Sequence, residues 1–496
     1  MKILDTICAP ATTAGSGAIA LIRISGPDAL AVADKVIEFR SGSAASAGGN
    51  TLKYGTVPDV DEVIAGIYRA PHSYTGEDAV EISCHSSRFI VGKILQLLIA
   101  AGARMAEPGE FTRRAFAAGK MDLSQAEAVA DIIAAESGSS HKVALNQLRG
   151  KYSSELKEIR KKLTDLASLL ELELDFSEED VEFANRTQLR LLLESAASEI
   201  KGLIESFKLG NAIKNGVPVA IVGAVNAGKS TLLNALLGED RAIVSDIPGT
   251  TRDTIEETLN IDGMLFRFID TAGIRESSDA VEKIGIQRSY SSMEKADIVI
   301  GVLDGNAPLE ELLKAAPMIL SRIRPGQKLI LVRSKVDTYD AINPEEFPTT
   351  DRSYRVFPLK YPAFGTYDLS PGQLVDKLSW HLHKKGVAVP ENLSVLDISA
   401  KTGEGMDELK RLLAGYCADT AGNTDTVMVT SLRHYEALVR AQEDLDQVAL
   451  GLDRKTPIDL VAQDLRSAIY ELGSIFGEVT SEDILQNIFA KFCIGK

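Results

Sequence analysis

Eight consecutive residues, Gly223-Ala224-Val225-Asn226-Ala227-Gly228-Lys229-Ser230, set two glycines, a lysine and a hydroxyl in the order G-x-x-x-x-G-K-S. Glycines let backbone N–H groups turn inward around an anion, and a following helix adds its positive N-terminal end. Lys229 is then placed to reach terminal phosphates and the Ser230 hydroxyl to ligate Mg²⁺. The apolar run Val219-Ala220-Ile221-Val222 predicts a strand before the loop. Thr231-Leu232-Leu233-Asn234-Ala235-Leu236-Leu237 predicts a helix after it. That order is the context a phosphate-binding loop requires.

Later segments bear on which nucleotide is bound. Asp246-Ile247-Pro248-Gly249-Thr250-Thr251-Arg252-Asp253 lies where a switch segment with a Mg²⁺-binding threonine is needed, and Asp270-Thr271-Ala272-Gly273 fits the D-x-x-G that senses a γ-phosphate. Lys335 and Asp337 fit a base-reading N-K-x-D, and Ser399-Ala400-Lys401 fits the loop that closes over guanine. A carboxylate at Asp337 accepts from guanine N1 and N2, which adenine does not offer. Serine stands at position 334 where that motif has asparagine, so one hydrogen bond is expected to be lost. This is worth about 1 kcal/mol, or roughly fivefold in affinity. Hydrolysis needs a group that orients water, which Ras-type enzymes supply as a glutamine just after D-x-x-G. Here Ile274 occupies that place and cannot polarise water. Glu282 is the nearest plausible carboxylate; on the residues alone, a solvated helix position suits it better.

These loops must be held by a sheet. Strand-like runs at 219–222, 265–269, 297–303, 328–333 and 394–398 alternate with helical stretches, predicting a doubly wound parallel sheet over 216–415. The 338–393 segment, with the single tryptophan Trp380, reads as an insertion. Residues 1–118 read as a separate α/β unit, with strands near 17–26 and 79–85 and helices over 27–37 and 88–101. Within those strands Arg23 and Glu81 are charges among apolar residues. Unpaired burial would be costly, so each must meet a partner or a ligand, and both readings stay open. Residues 119–212 and 426–496 read as helical, with Leu156, Ile159, Leu163, Leu166 and Leu170 at helical spacing. Helices on both sides suggest that the nucleotide domain is inserted into one bundle.

At 496 residues, more than one core is expected. The net charge of −16 argues against an extended nonspecific nucleic-acid binder, which needs clustered Lys and Arg. The N-terminal residues lack the apolar core of a signal peptide, and no apolar run is long enough to span a bilayer. Four scattered cysteines read as reduced thiols, so a cytoplasmic location without membrane contact is expected.

Several stretches together resemble the MnmE (TrmE) family of tRNA-modification GTPases over nearly the whole chain. They are Leu21-Ile22-Arg23-Ile24-Ser25-Gly26-Pro27, Tyr74-Thr75-Gly76-Glu77-Asp78, Pro108-Gly109-Glu110-Phe111-Thr112 and Lys120-Met121-Asp122-Leu123-Ser124-Gln125-Ala126-Glu127-Ala128. To these add the phosphate loop, Pro248–Asp253 and the terminal Phe492-Cys493-Ile494-Gly495-Lys496. The resemblance implies a K⁺ ion held by Asn226, Ser245, Ile247 and Thr250, Mg²⁺ held by Ser230 and Thr251, and Glu282 as the water-orienting residue. It implies pairing of two GTPase domains across their nucleotide faces. It also implies an N-terminal domain that forms a homodimer and binds a tetrahydrofolate one-carbon donor (5-formyl- or 5,10-methylene-tetrahydrofolate) through Arg23, Glu81, Lys120 and Lys496. Gly15-Ser16-Gly17-Ala18 departs from the family's usual Gly-Arg-Gly-Gly. Cys493 is read as a docking element or a neighbour of the folate site rather than a prenylation signal or catalytic thiol. The implied partner is a flavin-dependent MnmG (GidA)-like protein in a heterotetramer, with tRNA bound through the complex. The implied reaction adds an aminomethyl or carboxymethylaminomethyl group at C5 of the wobble uridine. Two other readings are a ribosome-assembly switch of the Era or Der kind and a P-loop ATPase. The first leaves Arg23, Glu81, Lys120 and the tail without a task.

Overall fold

Alternation along β2 (Ile19–Ser25) sorts its side chains: Ala20, Ile22 and Ile24 are buried on one face, and Arg23 lies on the other. The computed structural model describes residues 5–13, 17–175, 186–224, 226–239, 257–269, 291–307, 317, 319–338, 373–374, 376, 393–420, 427–454, 456–479, 481–490 and 492–495. Two compact units emerge. One comprises Met1–Ala134, Ala144–Ile204 and Leu432–Lys496; the other comprises Ala135–Val143 and Glu205–Ser431.

In the first unit, β2 joins β1 (Ile7–Pro10), β3 (Glu38–Phe39), β4 (Thr51–Val57), β5 (Asp61–Tyr68), β6 (Ala79–His85) and β7 (Arg104–Met105) in a sheet ordered β3-β4-β5-β6-β2-β1-β7. Its pairs are antiparallel except β1 with β7. Helices α1 (Ala29–Val36) and α2 (Arg88–Ala100) contribute Val32, Val36, Ile94 and Leu98 to a core with Ile22, Ile24 and Ile82. On the opposite face the register runs Leu52↔Gly66↔Glu81↔Arg23. Leu52 and Ile19 on that face are 77% and 68% exposed.

Helices α3 (Glu110–Ala117) and α4 (Leu123–Ala134) follow, then α5 (Gly138–Leu148), α6 (Lys151–Asp175) and α7 (Arg186–Asn215). Asp122 starts α4 with a reciprocal cap: its Oδ1 accepts from the Gln125 amide at 3.1 Å, and Gln125 Oε1 accepts from the Asp122 amide at 2.9 Å. The leucine stripe expected on α6 is buried throughout.

The second unit holds a six-stranded sheet of β8 (Val217–Gly223), β9 (Glu257–Ile261), β10 (Met264–Phe268), β11 (Ile298–Asp304), β12 (Lys328–Ser334) and β13 (Leu393–Asp397), ordered β13-β12-β11-β8-β10-β9. Five strands are parallel. The edge strand β9 is an antiparallel addition to the expected parallel sheet, joined to β10 through Asp262 and Gly263, both at positive φ, as a tight hairpin turn requires. Val219 and Ile221 feed one core with α8 (Lys229–Glu239) and α9 (Met406–Thr420), while Ala220 and Val222 feed another on the opposite face. The 338–393 insertion lies almost wholly outside the described residues.

The chain returns to the first unit with α10 (Leu432–Arg454), α11 (Ile458–Phe476) and α12 (Glu482–Phe489). Helices α6 and α11 are tied by Arg466 and Glu171 at 2.6 Å, and α7 and α10 by Arg190 and Asp453 at 2.8 Å. Among the described residues, no helix is long and apolar enough to cross a membrane.

Candidate functional site

The phosphate loop leaves the end of β8. A Cβ at Gly223 would overlap the Val302 carbonyl on β11, so glycine alone lets the two strand ends close up. Asn226 takes a left-handed φ of 62° and is exposed, which leaves its amide oxygen available to a cation. Ala227 and Gly228 complete the turn, and Ser230 and Thr231 lie in the first turn of α8. Lys229 Nζ donates to the carbonyls of Gly223 at 3.0 Å and Ala224 at 2.7 Å. Burial lowers the Lys229 pKa; an anion in the loop would favour its charged form.

The base-side loops leave β12 and β13. Ser334 is buried, and its hydroxyl is 2.7 Å from the Ala227 carbonyl and 3.2 Å from that of Leu303. Lys335 stands at a φ of 65° and pairs with Asp304 at the end of β11, 2.6 Å away. Asp337 is exposed and accepts from the Ser399 hydroxyl at 2.8 Å. That hydroxyl in turn receives the Thr402 amide at 3.1 Å, shaping the turn that carries Ala400 and Lys401. Behind both loops Arg333 and Asp397, each 3% exposed, form a bidentate pair with Nε to Oδ1 at 2.6 Å and a second contact from Nη2 to Oδ2. Ser245, Asp246, Ile247, Pro248, Gly249, Thr250, Thr251, Asp270, Thr271, Ala272, Gly273 and Glu282 lie outside the described residues, as does Lys496. Of the expected Mg²⁺ and K⁺ ligands, Ser230 and Asn226 are thus described, and both present oxygen donors suited to hard cations.

A second constellation sits on the open face of the first unit's sheet. Arg23 Nε and Nη2 meet Glu81 Oε1 at 2.9 and 2.8 Å, with the two side chains 16% and 23% exposed. Tyr68 donates to Glu81 Oε2 at a long 3.5 Å. The Arg23 guanidinium lies 5.1 Å from the ring centre of Tyr74 and 5.6 Å from that of Phe111, within cation–π range. Burial raises the Tyr74 pKa, against the Thr112 hydrogen bond and the Arg23 charge. From the other end of the chain, the Gly495 carbonyl accepts from Arg23 Nη1 at 3.4 Å. Gly495 has φ 99°, and a Cβ there would overlap the Pro10 carbonyl. Lys120 Nζ instead donates to the Pro71 carbonyl at 2.8 Å.

Comparison with known proteins decides the family. Residues 6–120 match the description "GTP-binding protein TrmE N-terminus" and residues 123–493 match "MnmE helical domain". The chain is 47% identical over 499 residues to the tRNA modification GTPase MnmE of Bacteroides fragilis (strain YCH46), covering 99% of each chain. It is 46% identical over 506 residues to that of Christiangramia forsetii, covering 100% of each. The chain belongs to the MnmE family of tRNA modification GTPases. Among solved structures, the G domain of the T. maritima FeoB iron transporter is 27% identical, with 40% of this chain and 98% of that chain covered and a TM-score of 0.24.

The MnmE-family stretches of the first unit have definite places in it. Glu110 receives Arg104 Nη2 at 2.6 Å and Arg114 Nη2 at 2.9 Å, and Arg114 also reaches Glu77 and Asp5. Burial alone would raise the Glu110 carboxyl; hydrogen bonds from Arg104, the Glu107 amide and Arg114, with the Arg114 charge, hold it at about 2. Glu127 meets Arg433 at 3.0 Å and His434 at 2.7 Å. Burial opposes ionisation there too, but the charge and hydrogen bond of His434, followed by those of Arg433, bring the carboxyl to about 2. Cys493 is exposed, and its backbone carbonyl accepts from the Gly109 amide at 3.5 Å. Sequence reading missed Tyr68, Tyr74 and Phe111 around Arg23, the Arg333–Asp397 pair, and Asp304 as the partner of Lys335. Signals were present for some of them: Tyr74 and Phe111 stand in family stretches, Arg333 and Asp397 are charges in apolar strands, and Asp304 is a carboxylate closing an apolar strand before glycine.

Proposed function

We propose that this MnmE-family GTPase binds GTP·Mg²⁺ at the loops ending β8, β12 and β13 and hydrolyses it with the help of K⁺. We also propose that it acts with an MnmG-like flavin protein in modifying the wobble uridine of tRNA. The observation that carries the reading is the convergence of phosphate loop, 334–337 loop and 399–401 turn at the carboxyl ends of parallel strands, where open α/β sheets bind ligands. The backbone amides from 223 to 230 and Lys229 would cradle the phosphates. Asp337 would accept from the guanine N1 and N2 hydrogens. Ser230 with Thr251 would hold Mg²⁺, and Asn226 with Ser245, Ile247 and Thr250 would hold K⁺. A cation there offsets charge developing between the β- and γ-phosphates. Glu282 would orient the water where Ile274 cannot.

The Arg23–Glu81 face is proposed to take the tetrahydrofolate derivative, with Lys120 and Lys496. Glu81 offers acceptor capacity toward a pterin's N–H donors, and Tyr74 and Phe111 offer aromatic surfaces near them. When bound, the folate supplies the one-carbon unit. The exposed Leu52 and Ile19 on the same face support a second copy covering it, as a homodimer requires. GTP turnover by the full chain in KCl and in NaCl at matched ionic strength tests the nucleotide half. Strong stimulation by K⁺ is expected, and equal rates would remove the K⁺ site.

A further inference from the structure

We infer that Ser334 does not read the base but braces the phosphate loop, so that guanine selectivity falls on Asp337 and the 399–401 turn. This rests on the guanine-nucleotide reading above and sharpens it. A serine hydroxyl has one proton to donate. The Ser334 hydroxyl faces two carbonyl oxygens, the nearer being Ala227 O at 2.7 Å, and carbonyls only accept. The proton is thus committed to a carbonyl, leaving none for the N7 and O6 acceptors of guanine's outer edge. The side chain is also confined. It is 4% exposed, and a Cβ on Gly228 would lie 3.4 Å from its Oγ. Its backbone is pinned by its neighbours: Arg333 is locked to Asp397, and the Arg333 carbonyl accepts from the Ile398 amide at 2.9 Å. A shift of the loop toward the base would have to break these contacts. Ser334 therefore joins β12 to the turn at Ala227–Gly228, and the loss expected from a missing asparagine becomes a transferred duty.

The test is competition against a fluorescent GDP on the full chain, using GDP, 7-deaza-GDP, ADP and inorganic tripolyphosphate as competitors. Wild type should bind GDP and 7-deaza-GDP within about twofold of each other, a comparison that needs no variant. Ser334→Ala leaves the Ala227 carbonyl without its donor. It should weaken GDP, 7-deaza-GDP and tripolyphosphate by a common factor of about five or more, the scale of one lost hydrogen bond. A base-reading Ser334 would instead show as a Ser334→Ala loss confined to GDP, and to 7-deaza-GDP as well if O6 is the atom read, with tripolyphosphate untouched; reading of N7 would add a wild-type preference of about fivefold for GDP over 7-deaza-GDP. That result overturns the inference, as does a variant that binds all three like wild type. If ADP competes as well as GDP in wild type, the failure belongs to the guanine reading itself.

Discussion

Each unit carries an arginine–carboxylate pair between neighbouring strands, and the two differ in what surrounds them. Arg333 and Asp397 are almost wholly buried and face each other in bidentate geometry. Arg23 meets Glu81 through a single carboxylate oxygen, and the two keep partial exposure and lie among Tyr68, Tyr74, Phe111 and the Gly495 carbonyl. A charge sealed against its partner fixes backbone positions; one that retains solvent contact and unused acceptor capacity can still engage a ligand. The same chemical pair thus serves as a brace in one sheet and as a candidate site in the other.

The comparison breaks most visibly at the brace. Asp397→Ala would remove the carboxylate from a buried arginine–carboxylate pair, and breaking such a pair from one side costs about 3–5 kcal/mol. Calorimetry should show a lower unfolding temperature for the nucleotide unit, with weakened nucleotide binding. A wild-type transition would mean that Arg333 finds another partner without cost.

Both strands of that pair, and the loops they end in, were legible beforehand because each is a short apolar run closed by a motif. The helices were legible from their spacing; Leu156, Ile159, Leu163, Leu166 and Leu170 do line the buried side of α6. The small strands were not. Thr51–Val57 mixes Leu52 with Lys53 and Tyr54 and leaves its leucine in solvent, so its pattern announces no buried face. Strand β9 escaped notice although Asp262-Gly263 is a hairpin signal. Ion pairs such as Glu127 with His434 join residues hundreds of positions apart, and nothing local marks them. Arg23 and Glu81 were conspicuous as charges in strands. Their aromatic surroundings depend on packing between β2, the 74–78 turn and α3.

Acid separates the carboxylates held by cations from those facing solvent. Glu110 and Glu127 sit at about 2 in the folded chain against an ordinary 4.5. Their depressed values contribute stability that is fully present above pH 4.5 and is lost as pH falls from there toward 2. Unfolding temperature should drop through that window. Glu110→Gln should start lower at neutral pH and decline less steeply. A parallel decline in variant and wild type would show that Glu110 does not carry the dependence.

The smallest stability effect is expected at the other pair. Glu81→Gln removes a charge that still touches water, and partly exposed pairs of this kind contribute about 0–1 kcal/mol. Its unfolding temperature should stay close to wild type, in contrast to Asp397→Ala.

Glu81→Gln is also the variant for the most direct test, titration of 5-formyl-tetrahydrofolate into the full chain and into the variant by calorimetry. The account predicts saturable binding by wild type and its loss, tenfold or more, in a variant that remains folded. Absence of binding by wild type, or equal binding by both, would contradict the assignment of the Arg23–Glu81 face as a ligand site.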